Sequence, residues 1–280
     1  MRKFKIGAPG YILMDLMRRD MPGTLQALGD MGYDGIELLG FFGHSAKEIR
    51  EMCIKSRLHP YSCFVKLTDL TGETSALPAE AFSPFDAATH MPGATPEDKL
   101  RYICELGCTY VGLLTPLDVM NEQMLRDMAY ANDLCKKFGL TMQFHNHNQE
   151  YLHRCGDHYR MDYIMQNTPE DMLFEPDLGW MEIGGCRCDD QLRKYAHRIR
   201  VIHLKDYHRE AFDVNLPYHN RPTGYGVMDW DHLLPLCEKL IQPDWYTADH
   251  DFAESGDTLG ELKMSLDFIR DKLEEVSRKL

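Results

Sequence analysis

The chain has 280 residues, 44% of them apolar and 27% charged, a balance that can bury one large core and excludes both a membrane-embedded and an intrinsically disordered protein. Its 31 Lys and Arg face 44 Asp and Glu, a formal net charge of −13, which repels the phosphates of nucleic acid and of anionic lipid. With no apolar run of about eighteen residues, no leader-like stretch after Met1 and nine scattered cysteines, the expectation is a cytoplasmic protein without a disulfide framework, and with neither nucleic acid nor membrane as partner.

Short apolar runs alternate with longer amphipathic ones along the whole chain. A strand over 3–8 precedes a helix over 21–31 with Pro22 at its second residue, and a strand over 33–38 carries Glu37 near its end. The next helix, over 45–56, opens on Ser45 with Glu48 three residues later, the capping-box spacing. A strand over 58–64 leads into a long connection over 66–94 rich in Pro, Thr and Ala. Helices over 95–106 and 121–138 stop before Gly107 and Gly139, and they flank a strand over 109–114. Then follow strands over 140–145, 172–177, 200–204 and 245–250, with helices over 158–167, 188–196, 229–241 and 257–277. A second long connection, over 206–227, carries His208, His219, Arg221 and Tyr225. Cys186 and Cys188 form a C-x-C without a second pair, which does not read as a metal site.

About eight strand-helix units argue for an all-parallel sheet, because parallel strands need a crossover and a helix supplies it. The expected fold is a single (β/α)₈ TIM barrel over 1–280, with the two long βα loops over its C-terminal face. A doubly wound sheet is the alternative, but Gly7-Ala8-Pro9-Gly10 lacks its Gly-rich phosphate turn.

Ionisable residues recur at one strand end after another: Glu37, then His145 and His147, then Asp177, His203, and Asp249. Period two puts His145 and His147 on one side of their strand, about seven ångströms apart. A parallel barrel gathers its C-terminal strand ends, so His145, Asp177, His203 and Asp249 should converge. Four N/O donors without a thiolate suit one divalent cation, Mn²⁺ first, with Mg²⁺, Co²⁺, Fe²⁺ and Zn²⁺ also compatible.

The segment His145-Asn146-His147-Asn148-Gln149-Glu150-Tyr151 resembles the histidine-rich motif of one branch of the sugar phosphate isomerase/epimerase family, xylose isomerase-like barrels related to inosose dehydratase and endonuclease IV. Asp177-Leu178-Gly179-Trp180, His203-Leu204-Lys205-Asp206 and Gly224-Tyr225-Gly226-Val227-Met228-Asp229-Trp230 are similar to its later motifs, in the same order. The resemblance implies a mononuclear metal site, usually of Glu, Asp, His and Glu. Asp177 and His203 match ligands directly. His145, with Glu150 five residues on, stands where a Glu is usual, and either of the two can be the ligand. Asp249 stands where the last Glu is usual, with His250 and Asp251 beside it. Trp180 replaces a second histidine used by endonuclease IV, which speaks against DNA repair.

Such a site implies proton abstraction next to a carbonyl of a sugar or keto-sugar, as an isomerase or epimerase. A lyase using the same enolate, such as a dehydratase or the large subunit of a C-glycoside deglycosidase, is the alternative. A non-catalytic sugar-binding or partner-dependent subunit is a third reading. His147 and Glu150 are the expected proton-transfer groups, His147 as a base titrating near neutrality. Lys205 is expected either to bind a substrate oxygen or to pair with Asp206. Glu37, Trp180, His208 and Arg221 are expected to contact the sugar or keto-glycoside, Glu37 by holding a hydroxyl unless it caps the next loop. Homo- and hetero-oligomers stay open.

Overall fold

The computed structural model describes residues 3–72, 89, 91, 93–115, 121–208 and 220–279. Eight strands form the barrel: β1 (Ile6–Pro9), β2 (Gly35–Leu38), β3 (His59–Lys66), β4 (Tyr110–Leu114), β5 (Thr141–His145), β8 (Leu173–Glu175), β9 (Val201–His203) and β12 (Trp245–Thr247). Their order is β8-β5-β4-β3-β2-β1-β12-β9, every pair parallel. The ends of that order meet at β8 and β9. There the joint consists of two isolated bridges, Phe174 with Ile199 and Asp177 with His203, and the His203 N–H donates to the Pro176 carbonyl at 2.8 Å. The result is the expected (β/α)₈ barrel, closed at a thin seam.

The helices form where the sequence carries their signals. In α2 (Ala46–Lys55) and α4 (Pro96–Leu106), Ser45 with Glu48 and Thr95 with Asp98 make full capping boxes, and α4 stops at left-handed Gly107, φ 92°. The helix α5 (Glu122–Lys137) is capped by Asn121. In α1 (Met14–Met31) the structure departs from the 21–31 expectation. A turn precedes the predicted start, and the two segments join at a kink where Asp20 has φ −155° and ψ 83°. Pro22 lacks the N–H to continue the ladder, and the Asp20 carboxylate caps Gly23 N–H at 2.9 Å instead.

Three short helices were not read from the pattern: α3 (Leu67–Thr71), α6 (Gln149–Leu152) and α8 (Leu178–Ile183). Each is under two turns, too short for an apolar period to show. Residues 158–159 are also not helical as expected. Arg154–Cys155 (β6) and His158–Tyr159 (β7) form a hairpin before α7 (Arg160–Gln166). The remaining helices are α9 (Cys188–Tyr195), α10 (Trp230–Leu240) and α11 (Thr258–Lys279). No helix among the described residues is long and apolar enough to cross a membrane.

Of the long connections, 66–94 begins with α3, and 206–227 begins with Asp206–Tyr207 (β10), paired antiparallel to Asn220–Arg221 (β11). His219, most of the first loop and half of the second lie outside the described residues. The described ends of the second loop are tied by Asp206, whose carboxylate accepts from the backbone N–H of Tyr207, Gly224 and Met228 and from the Trp230 indole.

The larger core lies between strands and helices, and a second fills the barrel's lower interior with Tyr61, Tyr110, Leu173, Val201 and Trp245. Tyr61 stacks on Trp245 with ring centroids 4.2 Å apart. The β2/β3 register slips between Ile36 and Glu37, so that Glu37 faces Ser62. This bulge lets Tyr61 and Ser62 both serve the interior. All nine cysteines are unpaired.

Candidate metal centre

Above the aromatic floor the interior becomes polar. His145 and His203 are the last residues of β5 and β9, while Asp177 and Asp249 each lie two residues past a strand end. One donor atom from each of the four lies within 4.8 Å of the others. His145 Nε2 is 4.0 Å from Asp177 Oδ2, and His203 Nδ1 is 3.5 Å from Asp249 Oδ2. The four expected ligands therefore do converge, and Glu150 is not among them.

The local structure fixes these atoms. Asp177 is the N-cap of α8: its Oδ1 accepts Trp180 N–H at 2.8 Å, which leaves Oδ2, buried and without a hydrogen-bond partner, for the site. Asn146 points to the other side of its strand, as period two requires, and clasps the backbone of Asp177 in both directions at 3.0 and 3.2 Å. Gly179 lets α8 lie against β9, since a Cβ there would stand 2.7 Å from the Lys205 carbonyl. Orphaned carboxylate and imidazole atoms in a thiolate-free set of four fit a divalent cation.

Lys205 is fully buried beside this set. Its Nζ lies 2.6 Å from Asp249 Oδ2, 2.8 Å from Asp251 Oδ1 and 3.6 Å from Asp177 Oδ2. The expected pairing with Asp206 is thus replaced by pairing with the site's own carboxylates. Burial works to raise the Asp249 carboxyl, but Lys205 and His203 hold it well below the usual range. Burial prevails at Asp177, which lies well above it despite Lys205. Burial also works to lower His203, but Glu37, Glu175 and Asp249 push it well above the ordinary imidazole value.

His147 faces the same pocket as His145, their ring centroids 5.1 Å apart, with Trp180 6.1 Å away on the other side. Burial and Lys205 push His147 down to about 4, rather than leaving it near neutrality. Burial with His203 and His147 lowers His145 well below its usual value. Glu150 accepts the His147 backbone N–H at 2.7 Å, so its carboxylate holds the turn on which His147 sits. Trp180 lies under the Lys205 ammonium, 5.4 Å from the ring centre.

Glu37 is buried in the barrel, its Oε2 2.7 Å from His203 Nε2. Glu175 joins it near the same nitrogen, its Oε1 3.3 Å away, and accepts from Gln143, which also reaches Ser62 Oγ at 3.3 Å. Glu175 and Gln143 were missed as site residues, while Asp251, a candidate to stand in for Asp249 as ligand, pairs with Lys205 and lies outside the four-donor set. The first two precede Asp177 and His145 by two residues, so period two alone would have placed them on the same inner face. His208 follows β10 with its Nδ1 buried and unpartnered. Arg221 pairs with Glu254 at a separate cleft of about 520 Å³, lined also by Tyr225, Asp257 and Met264 and by none of the four clustered donors.

The family described as xylose isomerase-like TIM barrel matches residues 25–271. Among solved structures, a sugar phosphate isomerase/epimerase from Parabacteroides distasonis ATCC 8503 is 19% identical, with 99% of this chain and 96% of that one covered and a TM-score of 0.72. An L-ribulose 3-epimerase is 15% identical over 99% and 97% of the two chains, with a TM-score of 0.69. A probable 3-DHS dehydratase from Bacillus anthracis is 11% identical over 95% and 99%, with a TM-score of 0.67. At these identities the likeness is one of fold. No curated protein sequence matches.

Proposed function

The chain belongs to the xylose isomerase-like TIM barrel family, and from that premise we propose that it is a divalent-metal-dependent enzyme removing a proton next to a carbonyl of a sugar or keto-sugar. The observation that carries this reading is the convergence of His145, Asp177, His203 and Asp249 at the barrel rim. A divalent ion held there, Mn²⁺ in the first instance, supplies Lewis-acid polarisation of the substrate carbonyl.

The chain's own residues do the rest. His147 shares the pocket of the ligand His145, and its ring is the group placed to take the C–H proton, although burial pushes it down to about 4 and so weakens it as a base. Glu150 holds the His147 backbone. Trp180 offers an apolar wall against which the carbon face of a sugar can lie, and Lys205 keeps Asp249 and Asp251 in place. Return of the proton gives isomerisation or epimerisation, the reading favoured by the isomerase and epimerase neighbours. Loss of a β-substituent gives a lyase, which the dehydratase of the same fold supports as the second reading.

Incubating the Mn²⁺-loaded protein in D₂O with a panel of keto-sugars and 3-keto-glycosides tests both at once. Deuterium should enter next to the carbonyl of at least one class, with retained carbon skeleton for an epimerase and a released group for a lyase. Bound metal without exchange on any member would overturn the enzymatic reading in favour of a non-catalytic sugar-binding subunit.

A further inference from the structure

His203 belongs to two polar clusters at once. Its Nδ1 faces Asp249 at the rim, where His145 and Asp177 complete a four-donor set. Its Nε2 faces downward into a second set, Glu37 Oε2 at 2.7 Å and Glu175 Oε1 at 3.3 Å. Both Glu37 oxygens, Glu175 Oε2 and both ring nitrogens of His203 are buried without a properly directed hydrogen bond. An imidazole that ligates a metal is neutral, with one lone pair and one N–H, so only one of the two clusters can receive the lone pair. The other must receive the proton.

The two clusters are not equivalent. The rim set has four donors, and the His147 and Trp180 rings stand beside it. The lower set's three donors are all buried, whereas the rim set includes the partly exposed His145. A catalytic ion needs an open coordination position. We infer that Glu37 is a positioning residue for the metal centre, accepting the His203 Nε2 proton and so presenting Nδ1 to the rim. The inference rests on the proposed metal-dependent function and assigns Glu37 a part in it other than contact with substrate.

The structure explains why the acceptor is a carboxylate on β2. The 2.7 Å contact lies off the ring N–H axis, so the imidazole has to turn within its site for the Nε2–H to point at Glu37. Glu175 is already engaged by Gln143 and stands farther from Nε2, which leaves Glu37 as the closer acceptor. A barrel interior is ordinarily filled by bulky aliphatic side chains, so two carboxylates, a glutamine and a histidine at this depth call for a use.

The test is metal titration of the wild type, Glu37→Gln and Glu37→Leu, together with ¹⁵N-histidine spectra of the Zn²⁺-loaded proteins and thermal unfolding of the metal-free ones. The wild type should bind one ion and show a slowly exchanging Nε2–H on a His203 ring metallated at Nδ1. Glu37→Gln, which still offers an acceptor oxygen, should weaken metal binding about 10-fold, and Glu37→Leu about 100-fold, the range expected for loss of a partner behind a ligand. Equal affinity in all three proteins, or an Nε2-metallated His203, would overturn the inference. A wild-type stoichiometry of two falling to one in Glu37→Leu would also overturn it, by making the lower set a cation site. A wild type that binds no metal would instead remove the functional reading on which the inference stands.

Discussion

At the residue scale, Asp177 does two separable jobs with two oxygens, one capping α8 and one facing the other donors. Asp177→Asn keeps a good N-cap and loses the anionic ligand, whereas Asp177→Ala loses both. Metal analysis should find both variants depleted, while unfolding should find the alanine variant alone less stable than the asparagine variant by about 1 kcal/mol, the usual worth of a cap. For His147, the expected outcome of His147→Ala is retention of metal with loss of substrate C–H exchange by about a hundredfold. Loss of the metal itself would move His147 into the coordination sphere. The rim donors were legible in the sequence because each is an ionisable residue at or just past a strand end, a position where a plain barrel has no use for one. The partners were not. That Lys205 joins Asp249 and Asp251 rather than Asp206 depends on the side of the chain to which residues past a strand end turn, and period two no longer governs there.

Among the elements, the alternation of strands and helices was legible throughout; the cap signal at Ser45 acts as such, and the helices expected from 95 and 121 are capped by Thr95 and Asn121. What escaped were elements of one or two turns and the hairpin over Arg154–Tyr159, where local chemistry outweighs any period. The helices α7 and α9 are joined by a buried contact that no periodicity announces: Asp162 accepts from Lys194 at 2.8 Å, from Tyr195 at 2.8 Å and from Gln191 at 3.3 Å. Burial works to raise the Asp162 carboxyl, but these donors bring it below its ordinary value. A carboxyl lowered in the folded state contributes stability that is present above its unfolded value of about 3.9 and is lost as pH falls through the folded one. Asp162→Asn should therefore cost about 2 kcal/mol at pH 7. The gap to wild type in chemical denaturation should narrow on acidification below about pH 4. A gap constant down to pH 2 would mean that the charge of Asp162 contributes nothing.

For the whole molecule, the expectation of one (β/α)₈ barrel follows from counting units, and the family match over residues 25–271 agrees with it. The seam could not be counted. Seven strand pairs are laddered, while β8 and β9 meet only through single bridges. His145 and Asp177 stand on one bank of that seam, and His203 and Asp249 on the other. An ion bound by all four would act as a clasp, two fastenings to each bank, across the one line along which the cylinder can spring open. Catalytic readiness and mechanical integrity would then be the same event. Mn²⁺ at about a hundred times its dissociation constant should add roughly 2.7 kcal/mol to the folded state. Amide hydrogen exchange should show the protection concentrated at His203 and its neighbours on β9, with little change at Gly112 in the continuous wall, whereas protection spread evenly round the barrel would mean that the seam was never its weak line.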